Sequence, residues 1–148
     1  MPSSTLTKFN AFVEHLAEGV HNFQSHQLKV ALTNTLPLVG HSLLADIAQI
    51  SYTNFVNGTT TGRDVALAAT SPSTQTGGVY KLILQDLVLT GQTAATDNFR
   101  YVVLYNDGTS VLTDPLIGWY DYTSSISLNP GETLTIDFDQ VNGVFTLT

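Results

Sequence analysis

The sequence predicts a mainly β protein: an antiparallel, jelly-roll-like β-sandwich of about eight strands with one N-terminal α-helix. Three observations predict it. Short apolar runs with period-two alternation follow one another from Gln27 to the C-terminus, separated by Gly, Pro, Asn and Ser turns. No helical periodicity interrupts them, which argues against a parallel α/β fold. Thr and Ser supply 21 and 11 of the 148 residues, favouring strands and the turns between them.

The first 24 residues stand apart. Phe9, Phe12, Val13, Leu16, Val20 and Phe23 recur at spacings of three and four, which is one face of a helix. Ser3, Ser4 or Thr5 offers a cap and Gly19 a stop, with Glu14 and Glu18 on the other side. The chain therefore divides into a helical arm, 1–24, and a β-sandwich, 25–148. Two readings of the helix stay open: it packs on its own sandwich, or it docks on a neighbouring subunit through Phe9, Phe12, Leu16 and Phe23.

The strands follow in order. Leu28, Val30 and Leu32 alternate within 27–34, and Leu36-Pro37 breaks the run. Residues 37–62 read as loop, with a short apolar piece at 43–47 and a turn at Asn57-Gly58. Asp64 to Ala68 forms a short strand, and Ser71 to Gly78 an exposed loop. Val79 to Leu89 is a long strand or a bent strand pair, bulged near Gln85-Asp86. Phe99 to Tyr105 is the most apolar run and is expected at the centre of a sheet, with Leu116 to Tyr122 as its hairpin partner. Asn129-Pro130-Gly131-Glu132 is a turn, Thr133 to Phe138 alternates, and Asn142-Gly143 is expected to close a last hairpin onto Val144 to Leu147.

Composition limits the function classes. A length of 148 residues is one ordinary domain. Twelve acidic and five basic residues give a net charge of −7. A domain this acidic is not expected to bind nucleic acid through phosphate neutralisation, and five cations do not make a polybasic membrane patch. Cysteine is absent, which removes disulfides, thiolate catalysis and Cys-based metal sites. No stretch reaches the roughly 18–20 apolar residues of a membrane span. Met1 to Ser4 shows neither a basic nor an apolar run, so no signal peptide is expected.

Residues with chemical potential are few. His15, His21 and His26 are spaced by six and five, which misses the i, i+4 pair of a helical zinc site; His41 lies further on. Asp137 and Asp139 faintly resemble a calcium loop, but no Glu stands at the twelfth position, and alternation on a strand explains them. No Gly-x-Ser-x-Gly elbow or Gly-rich phosphate cradle is present. An enzyme and a cofactor are therefore not expected. Trp119, Tyr120 and Tyr122 form an aromatic cluster; alternation sets Trp119 and Asp121 on one face and the two tyrosines on the other. These rings are either core and interface or a sugar-stacking platform.

Six phrases occur as an ordered set: Thr7 to Glu18, Leu28 to Thr35, Leu44 to Ile47, Phe99 to Asp107, Pro115 to Tyr122 and Gly131 to Phe138. The set resembles a family of small virion structural proteins of tailed bacteriophages, of the capsid decoration (cement) or minor tail type. The resemblance covers most of the chain. It implies a non-enzymatic protein of the virion, assembled in the bacterial cytoplasm, with the major capsid protein and its own copies as partners, as a homotrimer. It brings no catalytic residues. The alternatives are a tail-associated adaptor or fibre component, or a receptor- or carbohydrate-binding module contacting a host surface glycan through Trp119, Tyr120 and Tyr122.

Overall fold

A computed structural model describes residues 5–68 and 73–148. Its centre is β7, Phe99–Asn106, with seven of its eight residues buried. On one side it pairs antiparallel with β2, Leu28–Thr33, over six residues. On the other it pairs with β8, Leu116–Ile126. Two-residue strands close the edges: β1, Thr7–Lys8, on β8 and β3, Asp64–Val65, on β2.

The facing layer is divided. β6, Leu87–Thr90, pairs with β9, Thr133–Ile136. A three-stranded sheet places β5, Val79–Lys81, between β4, Thr74–Thr76, and β10, Thr146–Leu147. The molecule is thus mainly β and sandwich-like. Its main core lies between the layers, where Val30, Leu32, Val102, Leu104, Ile117, Tyr120 and Tyr122 meet Leu82, Leu84, Leu89, Leu128, Ile136, Phe138 and Val144. Each large apolar side chain buried there contributes about 1.5–3 kcal/mol.

The five-stranded sheet is covered on its reverse face too. Ala31, Tyr101, Val103, Tyr105, Leu116 and Trp119 pack there with Phe9 and Ile47. A bulge makes this possible. Leu104 faces Gly118 and Tyr105 faces Leu116, so Ile117 is an extra residue in β8. It sends Leu116 to the reverse face and Ile117 to the main core. The Ile117 carbonyl then accepts the Phe9 N–H at 3.1 Å, fixing where the N-terminal segment crosses. Gly118 is required at this crossing, since a Cβ there would lie 2.7 Å from the Thr7 carbonyl oxygen.

The helix, α1, spans Asn10–Ala17 and is shorter than the periodicity suggested. Residues 7 and 8 form β1 instead, because the β8 edge offers them backbone partners. The cap is Phe9, without a side-chain hydrogen bond, rather than Thr5; Ser3 and Ser4 lie outside the described residues. The stop at Gly19 is as expected. Gly19 has φ +75°, its N–H bonds the Leu16 carbonyl, and the Val20 N–H reaches the His15 carbonyl at 2.8 Å. That is a complete Schellman motif.

Two strand expectations need correction. Residues 74–76 are strand β4, not loop; Gly77 and Gly78 both have positive φ and join β4 to β5 as a two-residue hairpin. Residues 71 and 72 of that expected loop lie outside the described residues. The segment after Asn142-Gly143 pairs with β5, not with β9. Phe138 is buried and pulls the chain inward, and Val144 then bonds the Leu82 carbonyl.

Candidate functional site

The residues expected to make contacts lie mostly inside the chain. Phe9 is fully buried and packs on Trp119 with ring centroids 4.8 Å apart. Phe12 and Phe23 close one end of the main core, both edge-on to Phe145. Leu16 is partly buried against the same core. The helix therefore packs on its own sandwich, and residues 1–24 do not form a separate arm over their described part. Aromatic side chains at this spacing find their apolar partners within the chain, because β8 and β10 lie within reach.

The aromatic cluster takes the faces that alternation predicted, and both are covered. Trp119 is 6% exposed, Tyr120 5% and Tyr122 7%. No ring face is presented for stacking on a sugar. Tyr120 meets Phe138 edge-on at 6.1 Å. The Tyr122 hydroxyl is buried without a hydrogen-bond partner among the described residues, and burial, with Asp137 nearby, pushes it up to about 12. Tyr120 is pushed up further, by burial first and then by Asp139 and Asp137. Both remain neutral phenols at any physiological pH.

Two surface features are open to a partner. The first is apolar. Leu36, Leu38 and Val39 are 55%, 59% and 48% exposed, and Val13 on α1 is 53% exposed. The buried Pro37 anchors the loop, and Asn10 at the start of α1 donates to the Val39 carbonyl at 2.9 Å. The apolar loop and the helix carrying Val13 are thus tied together. Sequence reasoning assigned Leu36-Pro37 only the role of breaking a strand. It missed this platform because exposure depends on what the rest of the chain leaves uncovered.

The second is a cleft of about 560 Å³ between Thr5-Leu6, Tyr120 and residues 137–144. Asp139 does not offer a free carboxylate. Its Oδ1 accepts the N–H groups of Val141 and Asn142, and its Oδ2 accepts the Asn142 side-chain amide at 2.8 Å. Those bonds hold its carboxyl below the usual carboxylate range. Asp137 Oδ1 accepts the Asp139 N–H at 2.9 Å. The two aspartates build the turn, and among the described residues no group of three or more His, Asp or Glu side chains is placed to hold a metal ion.

The structure also brings His21 and His26 onto Asn106, with His15 beside His21 at 6.0 Å between ring centroids, while His41 bonds locally to the Leu38 N–H. Sequence spacing did not suggest this cluster, since its organiser lies 80 residues away from His26. Comparison with known proteins gives no match to a family model, to a curated protein or to a solved structure.

Proposed function

We propose that this chain is a non-enzymatic structural protein of a bacteriophage virion, most directly a capsid decoration protein that binds and stabilises the assembled shell. The observation that carries the reading is the exposure of Leu36, Leu38 and Val39 on a loop bonded to the start of α1, which exposes Val13, in a domain whose Phe9, Trp119, Tyr120 and Tyr122 are committed to its own core. The resemblance of the ordered phrases to small virion proteins of tailed bacteriophages supports the same reading. A rigid sandwich with one adhesive patch suits a clamp. It binds the assembled lattice in preference to free subunits, and stabilises that lattice by linkage. The partners in this reading are the major capsid protein and further copies of the chain, as a homotrimer, within the virion.

The platform replaces Phe9, Phe12, Leu16 and Phe23 as the contact surface. The test is the copy number in purified virions, measured by quantitative mass spectrometry against the major capsid protein. One copy per capsid subunit, or one third of that, supports decoration. A few copies per hundred subunits places the protein in the tail instead.

A second reading, a tail-associated module contacting a host surface glycan, is favoured by the cleft beside Tyr120. Asp137, Gln140, Asn142 and Thr5 line it with hydroxyl-matching groups. Glycan-array binding that Asp137→Asn or Gln140→Ala abolishes without change in melting would support that reading over decoration.

A further inference from the structure

Asn106 is fully buried at the end of β7, beneath the segment that follows α1. Its side chain makes three hydrogen bonds. Oδ1 accepts the Gly108 N–H at 2.9 Å. Nδ2 lies 3.1 Å from His21 Nδ1 and 2.9 Å from His26 Nδ1.

The chemistry of these contacts fixes the protons. A backbone N–H only donates, so the atom facing Gly108 is the amide oxygen. The NH2 group therefore faces both imidazoles, and both Nδ1 atoms must accept. A second backbone group agrees: the Asn22 N–H points at His26 Nδ1 at 3.2 Å. Both histidines are thus neutral, with the proton on Nε2. A proton added to either Nδ1 would set donor against donor. The amide cannot flip to relieve this, because Gly108 holds its oxygen.

The surroundings offer a protonated His21 no compensation. Its ring stacks on Phe23 at 5.6 Å and lies against Phe12 at 5.3 Å. Its Nε2 is buried without a partner among the described residues. The titratable groups facing it are His15 from α1 and His26 from the turn, and neither can supply a negative charge. Glu14 on α1 and Glu18 at its C-terminal cap are exposed. Asp107, next to Asn106, directs its carboxylate to Lys29 at 3.3 Å. Burial first, then His15 and His26, lower His21 to about 4.

We propose that Asn106 clasps His21 and His26 in their neutral form, so that packing of residues 10–26 on the sandwich is a proton-sensitive closure. Acid opens it and uncovers Phe12 and Phe23.

Hydrogen exchange of the full chain, followed by mass spectrometry at pH 7.5 and pH 5.0, tests this. After correction for the chemical exchange rate, the opening equilibrium of segment 10–26 is expected to rise about 30-fold at the lower pH from His21 alone, while β7 changes little. His21→Gln keeps an acceptor that does not titrate and should flatten the response. Asn106→Asp offers protonated histidines a carboxylate and should abolish or reverse it. Equal corrected exchange at the two pH values overturns the proposal, as does an unchanged response in both variants. If the variants do not fold, long-range 1H–15N spectra of the wild-type chain decide. Bare Nδ1 atoms on both rings at pH 7.5, with His21 still neutral at pH 5.5, are expected. A proton on either Nδ1 at pH 7.5, or His21 titrating near 6.5, overturns it.

Discussion

The two layers of the sandwich are built differently. The five-stranded sheet holds strands of 8 and 11 residues, and β7 is paired on both sides. Both of its faces are covered, by the main core and by the Phe9–Trp119 cluster. No strand of the facing layer exceeds 4 residues among those described, and its two sheets are separate. There, Leu82, Leu84 and Leu89 reach the core, while Val88 is 53% exposed. One layer is a continuous frame that packs on both faces. The other is a lining held by turns.

Mutations that remove similar side chains from the two layers should expose this difference. The largest loss is expected for Trp119→Ala, about 3–5 kcal/mol, because the ring joins the sheet's reverse face to Phe9. Urea unfolding measures it. A loss below about 1 kcal/mol would show that the ring is not core. Leu104→Ala in β7 and Leu89→Ala in β6 remove the same atoms at 0% and 2% exposure. The first should cost about 4 kcal/mol and the second about 2, since the thinner layer can collapse around the gap. Equal losses would deny the contrast between frame and lining.

Acid gives the next effect. His21 is lowered to about 4, so the native state resists its protonation. The stability this represents is complete above the unfolded value of about 6.5 and is lost progressively as pH falls to about 4, amounting to about 3 kcal/mol. Asp121, held low by its bond to Arg100, and Asp46, held low by the Ser42 and Leu43 N–H groups, add losses only below the ordinary carboxylate range. Two steps should therefore appear in a pH series of urea midpoints, and His21→Gln should remove the upper one.

Arg63→Met probes the seam beside β2. The guanidinium is buried, donates to the Val30 carbonyl at 2.7 Å and to the Gly58 carbonyl, and lies 3.8 Å from the centre of the Tyr52 ring. Losing those bonds leaves buried carbonyls unpaired, at about 1–3 kcal/mol. The smallest effect is expected for Arg100→Gln. Its paired contact with Asp121, at 2.8 and 3.0 Å, is exposed to solvent, and the melting temperature should stay within experimental scatter.

The frame was legible in the sequence and the lining less so. Phe99 to Tyr105 announced a central strand because burial on both faces demands continuous apolar character. Leu28, Val30 and Leu32 share the main core as their alternation predicted. In the lining, β4 carries no buried residue, so its only signal was the Gly77-Gly78 turn, hidden in a polar run. The partner of β10 could not be read from Asn142-Gly143, because pairing with β5 is set by packing of Phe138 and Val144. The site followed the same division. Faces of Trp119 and Tyr120 were predictable from period two; the exposure of Leu36, Leu38 and Val39 and the meeting of His21 and His26 at Asn106 are long-range outcomes.

The edges of the main sheet have a consequence for crowding. The outermost strand on each side is only two residues long, and these strands carry Lys8 on one side and Asp64 on the other. A long bare edge would present a row of free N–H and C=O groups, a template on which further chains could add as strands. Here each outermost strand offers only two residues, and each carries a charged side chain. A charge on each outermost strand disfavours the addition of a further apolar strand there, so the charge rather than the length of the strand guards these two edges.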